Sequence, residues 1–214
     1  MDVSARIWEQ LVAVGTRRPF LPGEVLLRQG DPPTHVLLLL SGRVKVFLAL
    51  PSDEILLAVR GPGELLGEIA VLGGDDDGRS ATVVAIDSCV TSVLPAARFE
   101  TLVRSAKLGD ELLRNTMRRL REGERWRAEI AALPAGPRVV RALVRLAIPG
   151  ARGPVDVGLS QAEIGQAVGL SRSVVAAELS RLRDQGVVET GRRRITITGL
   201  PGLRALAGSG RGTV

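Results

Sequence analysis

Residues whose types and spacing could do chemistry cluster near the C-terminus. Ser160-Gln161-Ala162-Glu163 is a capping-box pattern, in which the Ser and Glu side chains satisfy each other's backbone N–H groups and open a helix. Gly169-Leu170-Ser171 reads as a tight turn. Ser171 can cap a second helix running to about Gln185, which Gly186 ends. Two short capped helices joined in this way make a helix-turn-helix, whose turn needs Gly where a side chain would obstruct the close approach of the helices. On the second helix Val175, Leu179 and Leu182 share a packing face, and Arg172, Ser173, Ala176, Ala177 and Ser180 lie away from it. The N-terminal part of such a helix enters the major groove of DNA, where Arg172 could give guanine a pair of hydrogen bonds. Val187–Thr190 and Ile195–Thr198 flank Gly191-Arg192-Arg193-Arg194, a hairpin whose basic tip would meet phosphates as a wing. The alternative is two ordinary antiparallel helices with a solvated charge cluster.

The distribution of charge favours double-stranded DNA as a partner. The 214 residues carry a net charge of +6, from 27 Arg and 2 Lys against 23 acidic residues. Residues 1–97 sum to −4, residues 98–133 to +3 and residues 134–214 to +7. An acidic binding part is thus joined to a part suited to a polyanion. The single Cys89 excludes an intramolecular disulfide, a four-cysteine iron–sulfur cluster and a cysteine-rich zinc site. The single His35 argues against a multi-histidine metal enzyme, so no metal is expected. No nucleophile–base pair and no Gly-rich kinase motif is visible, and the chain does not read as an enzyme. The longest stretch without a charged side chain, Pro32 to Gly42, has 11 residues, whereas a membrane helix needs about 20. Asp2 and Glu9 stand where a signal peptide would be apolar. A cytoplasmic protein with no membrane association is expected.

The elements that must position these residues fall into an α+β order. A short amphipathic helix is predicted over 4–14, with Ile7, Trp8 and Leu11 on one side. Short β-rich runs follow: Val25–Leu27, Val36–Leu40, Val44–Leu50, Ile55–Val59, Thr82–Ile86 and Val90–Leu94, separated by Gly/Pro turns. Such a series predicts a sandwich, barrel or jelly roll over residues 1–97, with the N-terminal helix included. Residues 98–133 become helical. Leu113, Met117 and Leu120 begin a narrow apolar seam that needs a partner, most simply a twofold copy of the chain. Pro134 to Pro137 ends that helix. Pro137 could sit in the first turn of the next, whose inner face would be Val139, Val140, Leu143, Val144 and Ala147. The DNA-binding domain is then 134–207, with a flexible Gly/Ser-rich tail at 208–214.

The stretch Ser160 to Val175, SQAEIGQAVGLSRSVV, resembles the helix-turn-helix of the bacterial cyclic-AMP receptor protein/FNR (Crp/Fnr) family. Gly67-Glu68-Ile69-Ala70-Val71-Leu72, followed by Arg79-Ser80-Ala81-Thr82-Val83, resembles that family's phosphate-binding cassette. The order of parts also matches: cyclic-nucleotide-binding β-roll (jelly roll), long dimerisation helix, C-terminal winged helix-turn-helix. The resemblance covers about residues 8–200. It implies an effector site at Gly67, Glu68, Ile69, Ala70, Arg79 and Ser80. Gly67 would let the backbone approach a ligand, and the amides of residues 68–70 would open a short helix toward an anion. Arg79 would supply a fork for the phosphate, Ser80 a hydroxyl, and Glu68 an acceptor for a ribose 2′-OH. A β-turn with a Glu–Arg surface ion pair is the other account of the same residues. The resemblance further implies DNA contacts at Ser160, Gln161, Ser171, Arg172, Ser173, Ala177, Arg192, Arg193 and Arg194.

The sequence departs from the family at two places. Gly123 and Glu124 stand where the cyclic-AMP receptors have a Thr-Ser pair that contacts adenine, so the phosphate-and-ribose half is kept and the base-reading half altered. Ser173 and Ala177 replace a Glu and an Arg of the recognition helix, which implies a different operator. Asp75, Asp76 and Asp77 add carboxylates near the expected phosphate site. The function expected is a homodimeric DNA-binding transcriptional regulator. Its effector would be a cyclic nucleotide, with cyclic AMP (cAMP) foremost, acting through a hinge at Leu133–Pro137. RNA polymerase is a further partner if it activates. The alternative is the same regulator without dependence on a cyclic nucleotide.

Overall fold

The computed structural model describes residues 5–51, 53–73, 78–105, 108–147, 154–191 and 194–209. Asp75, Asp76, Asp77, Arg192 and Arg193 lie outside the described residues, as does the tail beyond 209. In chain order the first elements are α1 (Ala5–Ala13), β1 (Thr16–Phe20), β2 (Val25–Leu27), β3 (His35–Ser41), β4 (Val44–Ala49), β5 (Glu54–Arg60), β6 (Leu65–Leu66), α2 (Glu68–Gly73), β7 (Thr82–Ala85), β8 (Cys89–Pro95), α3 (Ala96–Ser105) and α4 (Gly109–Ala132). Then come α5 (Ala135–Leu146), β9 (Val155–Asp156), α6 (Gln161–Val168), α7 (Arg172–Asp184), β10 (Val188–Gly191), β11 (Arg194–Ile197) and α8 (Leu200–Ser209). Tertiary contacts divide the chain into two units, residues 1–123 and 124–214, and the division falls inside α4.

The first unit is a β-roll of two four-stranded antiparallel sheets, ordered β1-β8-β3-β6 and β2-β7-β4-β5. Strand β3 shows why the sequence folds this way. Leu37 and Leu39 point into the core between the sheets, with Phe20, Leu27, Val44 and Val83. Val36 and Leu38 point the other way, against Leu11 of α1, Phe99 of α3 and Leu112 of α4. All four are at most 1% exposed. Burying one such side chain contributes about 1.5–3 kcal/mol. A strand buried on both faces loses its alternation and becomes a run of apolar residues, which is the uncharged Pro32–Gly42 stretch of the sequence.

Strand β1 lacks a sequence signal for the opposite reason. Thr-Arg-Arg-Pro-Phe is exposed at its first four positions and lies at the edge of its sheet, where Pro19 is tolerated.

In the second unit α5 buries Val139, Val140, Ala142, Leu143 and Leu146, while Val144 of the expected face is half-buried. It packs against α6, α7 and α8. A three-stranded sheet, ordered β10-β11-β9, forms the wing. Helix α8 has no sequence forecast, because Pro201 and Gly202 in its first turn read as loop. Proline is nevertheless compatible with a first turn, and Leu203 is fully buried. Three side-chain contacts strap the end of α4 to α5 across the Leu133–Pro137 turn. Arg138 Nε donates to the Leu133 carbonyl at 2.5 Å. Arg141 Nη1 pairs with Glu129 Oε1 at 2.8 Å. The Arg145 guanidinium lies 5.0 Å over the Trp126 ring. These contacts span the turn expected to act as the hinge.

Candidate functional site

In the β-roll, Arg79 lies against Gly67, and Glu68, the next residue in the chain, is buried as well. Gly67 has a φ of +82°, where L side chains are strained. A Cβ there would lie 2.5 Å from Arg79 Nη1 and 2.9 Å from Leu27 Cδ1. Arg79 is 4% exposed. Its backbone is clamped to the turn before β3: Gly30 N donates to the Arg79 carbonyl at 2.9 Å, and Arg79 N to the Asp31 carbonyl at 3.0 Å. Its Nη2 donates to the His35 carbonyl at 2.7 Å. Its Nη1 is buried and has no hydrogen-bond partner among the described residues. Burial lowers the Arg79 guanidinium from its ordinary value, with Asp31 opposing. Burial likewise lowers the His35 imidazole, reinforced by Arg79 and Arg18, which favours its neutral form.

Glu68 is 7% exposed and opens α2. That helix has only six residues, so the positive charge of the site resides in arginine side chains more than in a helix dipole. Arg119, from α4, approaches Glu68 from the other side. Its Nη1 donates to Glu68 Oε1 at 2.7 Å, and its Nη2 to Glu64 Oε2 at 3.2 Å and to the Leu65 carbonyl at 3.3 Å. Arg60 also reaches Glu64, at 3.4 Å. Burial pushes the Glu68 carboxyl above the usual carboxylate range, against the pull of Arg119. Arg119 was invisible to sequence reasoning. It sits in an arginine-rich stretch of helix beside the Met117–Leu120 seam, and only the fold brings it 51 residues back to Glu68. Of the other expected residues, Ile69 is 53% exposed, Ala70 is half-buried and Ser80 is exposed. Ile69 thus turns its side chain to solvent.

In the second unit the expected helix-turn-helix is present with both caps. Glu163 N donates to Ser160 Oγ at 3.3 Å and Ser160 N to Glu163 Oε2 at 2.7 Å. Val174 N donates to Ser171 Oγ at 3.4 Å, and the Ser171 and Ser173 hydroxyls are 2.9 Å apart. The turn glycine has a different role from the one expected. Gly169 closes α6 in the left-handed conformation with open space around it, whereas the close approach occurs at Gly165, where a Cβ would be 2.5 Å from the Leu170 carbonyl oxygen. That oxygen is backbone and cannot swing aside. Gly165→Ala is expected to destabilise the second unit by about 1–3 kcal/mol, as overpacking does, and to weaken DNA binding. Thermal melts and anisotropy with duplex DNA check both.

Helices α6 and α7 and the wing border an open pocket of about 450 Å³, lined by Ser160, Gln161, Arg172, Gly191, Arg194 and Ile195 among others. Four of the expected DNA-contacting residues therefore meet at one place. Ser173 and Ala177 lie exposed on α7, and Val175, Leu179 and Leu182 are buried beneath it. One expectation changes. Gly191 and Arg194 are a cross-strand pair, so Arg194 belongs to strand β11 rather than to the hairpin tip. Arg194 Nε pairs with Asp156 Oδ2 at 2.9 Å, which offsets part of its charge. Among the described residues no group of three or more His, Cys, Asp or Glu could hold a metal ion, and no helix is long and apolar enough to cross a membrane.

Residues 17–106 match the cyclic nucleotide-binding domain family, and residues 137–206 the Crp-like helix-turn-helix domain family. A cyclic AMP receptor protein of Thermus thermophilus is 33% identical over 177 residues, covering 82% of this chain and 80% of that one. The fold matches a CRP/FNR-family transcriptional regulator, also from Thermus thermophilus, with a TM-score of 0.72 and 25% identity over 92% of this chain and all of that one. It also matches a c-di-GMP responsive global regulator from Xanthomonas campestris, with a TM-score of 0.74 and 23% identity over 92% of this chain and 100% of that one. With a cyclic nucleotide-binding domain at one end and a helix-turn-helix at the other, the chain belongs to the CRP/FNR family of DNA-binding transcription regulators.

Proposed function

We propose that the β-roll binds a cyclic nucleotide, cyclic AMP foremost, and that the protein acts as a homodimer on a pseudo-palindromic operator. The observation that carries the effector assignment is the buried Arg79 Nη1 without a partner. A buried cation with an unused donor is costly unless an anion completes it. A cyclic phosphodiester carries one charge and two free oxygens, which suit a guanidinium fork. Glu68, adjoining Gly67, supplies the acceptor for a ribose hydroxyl. Ser80 follows Arg79 and can add its hydroxyl. The Thermus relative is a cyclic AMP receptor and the Xanthomonas regulator responds to c-di-GMP, so both ligand types belong in the test.

The dimer rests on α4. Leu113, Met117 and Leu120 are 55%, 45% and 50% exposed on one face, while Leu112 and Asn115 are buried on another. A second copy of the helix covers such a seam. Two recognition helices would then meet successive major grooves about 34 Å apart, with Arg172 at a base edge and Ser160, Gln161, Ser171, Ser173, Ala177 and the wing arginines around it. Replacing Leu113 and Met117 with Lys is expected to yield monomers in sedimentation equilibrium and to lower operator affinity more than tenfold. The protein works in the cytoplasm and carries out no catalytic step; where it activates, RNA polymerase is its partner.

Titration calorimetry of the full chain with cyclic AMP, cyclic GMP, cyclic CMP and c-di-GMP tests the effector. Binding of cyclic AMP supports the assignment, and binding of another of the four instead renames the ligand. No heat from any of them, with DNA binding intact, makes this a regulator independent of cyclic nucleotides.

A further inference from the structure

The side chain of Arg183, in the last turn of α7, takes no part in capping the helix and is exposed. Eleven residues separate it from Arg172. On an α-helix that is about 16 Å along the axis and about 20° around it, so the two arginines share a face. On the same count the buried Val175 and Leu182 lie about 80–100° around the helix from Arg183 and the buried Leu179 about 40°, so the exposed Arg183 stands at the border of the packing face. Arg183 is also held in place, unlike an ordinary surface arginine. Its Nη2 donates to Ser180 Oγ at 2.8 Å, one turn back on α7. Its Nη1 donates to Thr190 Oγ1 at 3.5 Å, on wing strand β10. Two hydroxyls thus bracket the guanidinium between the recognition helix and the wing, and two of its five N–H groups are used. The carboxylate beside it, Asp184, is 4.0 Å from Nε, beyond hydrogen-bond reach.

We propose that Arg183 is a phosphate-binding residue of the DNA interface, gripping the backbone at the rim of the groove into which α7 inserts. The major groove is about 12 Å wide. A helix that places Arg172 on base edges therefore carries a residue about 16 Å further along beyond the floor of the groove, to the phosphates on its edge. The role of the hydroxyl bracket is to hold the fork ready, which spares the ordering cost of a long side chain. The assignment rests on α7 entering the major groove and is independent of the effector.

The test is fluorescence anisotropy of the full chain with a random-sequence 40-base-pair duplex between about 50 and 200 mM salt, the range over which phosphate contacts dominate the salt response. Arg183→Gln is expected to weaken binding about five- to tenfold and to flatten the salt slope by about 0.9 per chain bound. Arg183→Lys keeps the slope, because it keeps the charge. Ser180→Ala with Thr190→Val weakens binding about two- to threefold at unchanged slope, since it removes only the bracket. Arg181→Gln is the control: that side chain is turned to Glu178, at 3.0 Å, and its loss leaves the slope unaltered. Were Arg183 merely a cation at a helix C-terminus, Arg183→Gln would lower the melting midpoint and leave the slope at its parent value. That result overturns the proposal. An Arg172→Gln variant, measured in parallel with Arg183→Gln on a duplex selected for tight binding, separates the two levels. If it weakens binding and Arg183→Gln does not, only the phosphate contact falls; if neither does, the groove placement of α7 falls with it.

Discussion

Replacing Arg79 with Met is expected to lower cyclic-nucleotide affinity by more than about a hundredfold while leaving the protein as stable as its parent. The two effects separate because of how Arg79 is buried. Each charge-assisted hydrogen bond to a ligand contributes about 1.5–3 kcal/mol, and a guanidinium fork makes two, so removing it loses more than a hundredfold in affinity. Without ligand, the same side chain keeps a buried donor unpaired, which costs about 1–3 kcal/mol. Methionine removes that penalty and fills similar apolar space beside Leu27. Against this stands the loss of one hydrogen bond to the His35 carbonyl, about 1 kcal/mol. The net change in stability is close to zero. Calorimetry and a thermal melt on one preparation read both numbers. A variant that binds its nucleotide as tightly as the parent would remove Arg79 from the site.

Arg119→Met has the opposite profile: a large loss of stability. It strands Glu68, which stays buried with its charge uncompensated. Removing one partner of a buried pair costs about 3 kcal/mol or more, a fall of about 6–12 °C in melting midpoint for a domain of this size. The deficit depends on pH, and its sign follows from the direction of the shift. Burial already raises the Glu68 carboxyl above its ordinary value, and losing Arg119 removes the largest opposing influence, leaving only a backbone hydrogen bond and Arg60 against it. A carboxyl raised in the folded state favours folding below its unfolded pKa, and that advantage disappears as pH rises through the folded value. The variant is therefore expected to be closest to the parent in mild acid and furthest from it at neutral and alkaline pH. Adding Glu68→Gln should recover most of the loss and flatten the pH dependence. Chemical denaturation across pH 5–8 is the measurement, and a pH-independent deficit would rule out a stranded carboxylate.

These two arginines mark the limits of what the sequence reveals. Arg79 could be singled out because Gly67–Leu72 and Arg79–Val83 together resemble the family's phosphate-binding cassette, and the structure adds its burial beside Gly67. Arg119 could not be, because its partners come from elements 51 and 55 residues away and no local spacing encodes that. The same contrast runs through the fold. Helices α6 and α7 were bounded correctly because capping residues are local chemistry, and Ser160, Glu163 and Ser171 perform it as expected. Strand β1 and helix α8 were missed because tertiary pairing and packing override weak local preference. Gly169 and Gly165 show a subtler failure. The need for close approach was legible, but the sequence does not say which of two glycines four residues apart meets it.

The strap across the α4–α5 turn has a practical consequence for exchanging sensors between regulators. Trp126 and Glu129 lie on α4, yet they pack with Arg145 and Arg141 of α5 and belong to the second unit. A chimera spliced at Pro134, where the helix visibly ends, would leave those two arginines facing a foreign surface. A splice at Gly123 transplants the DNA-reading module together with the stretch of helix that buttresses it.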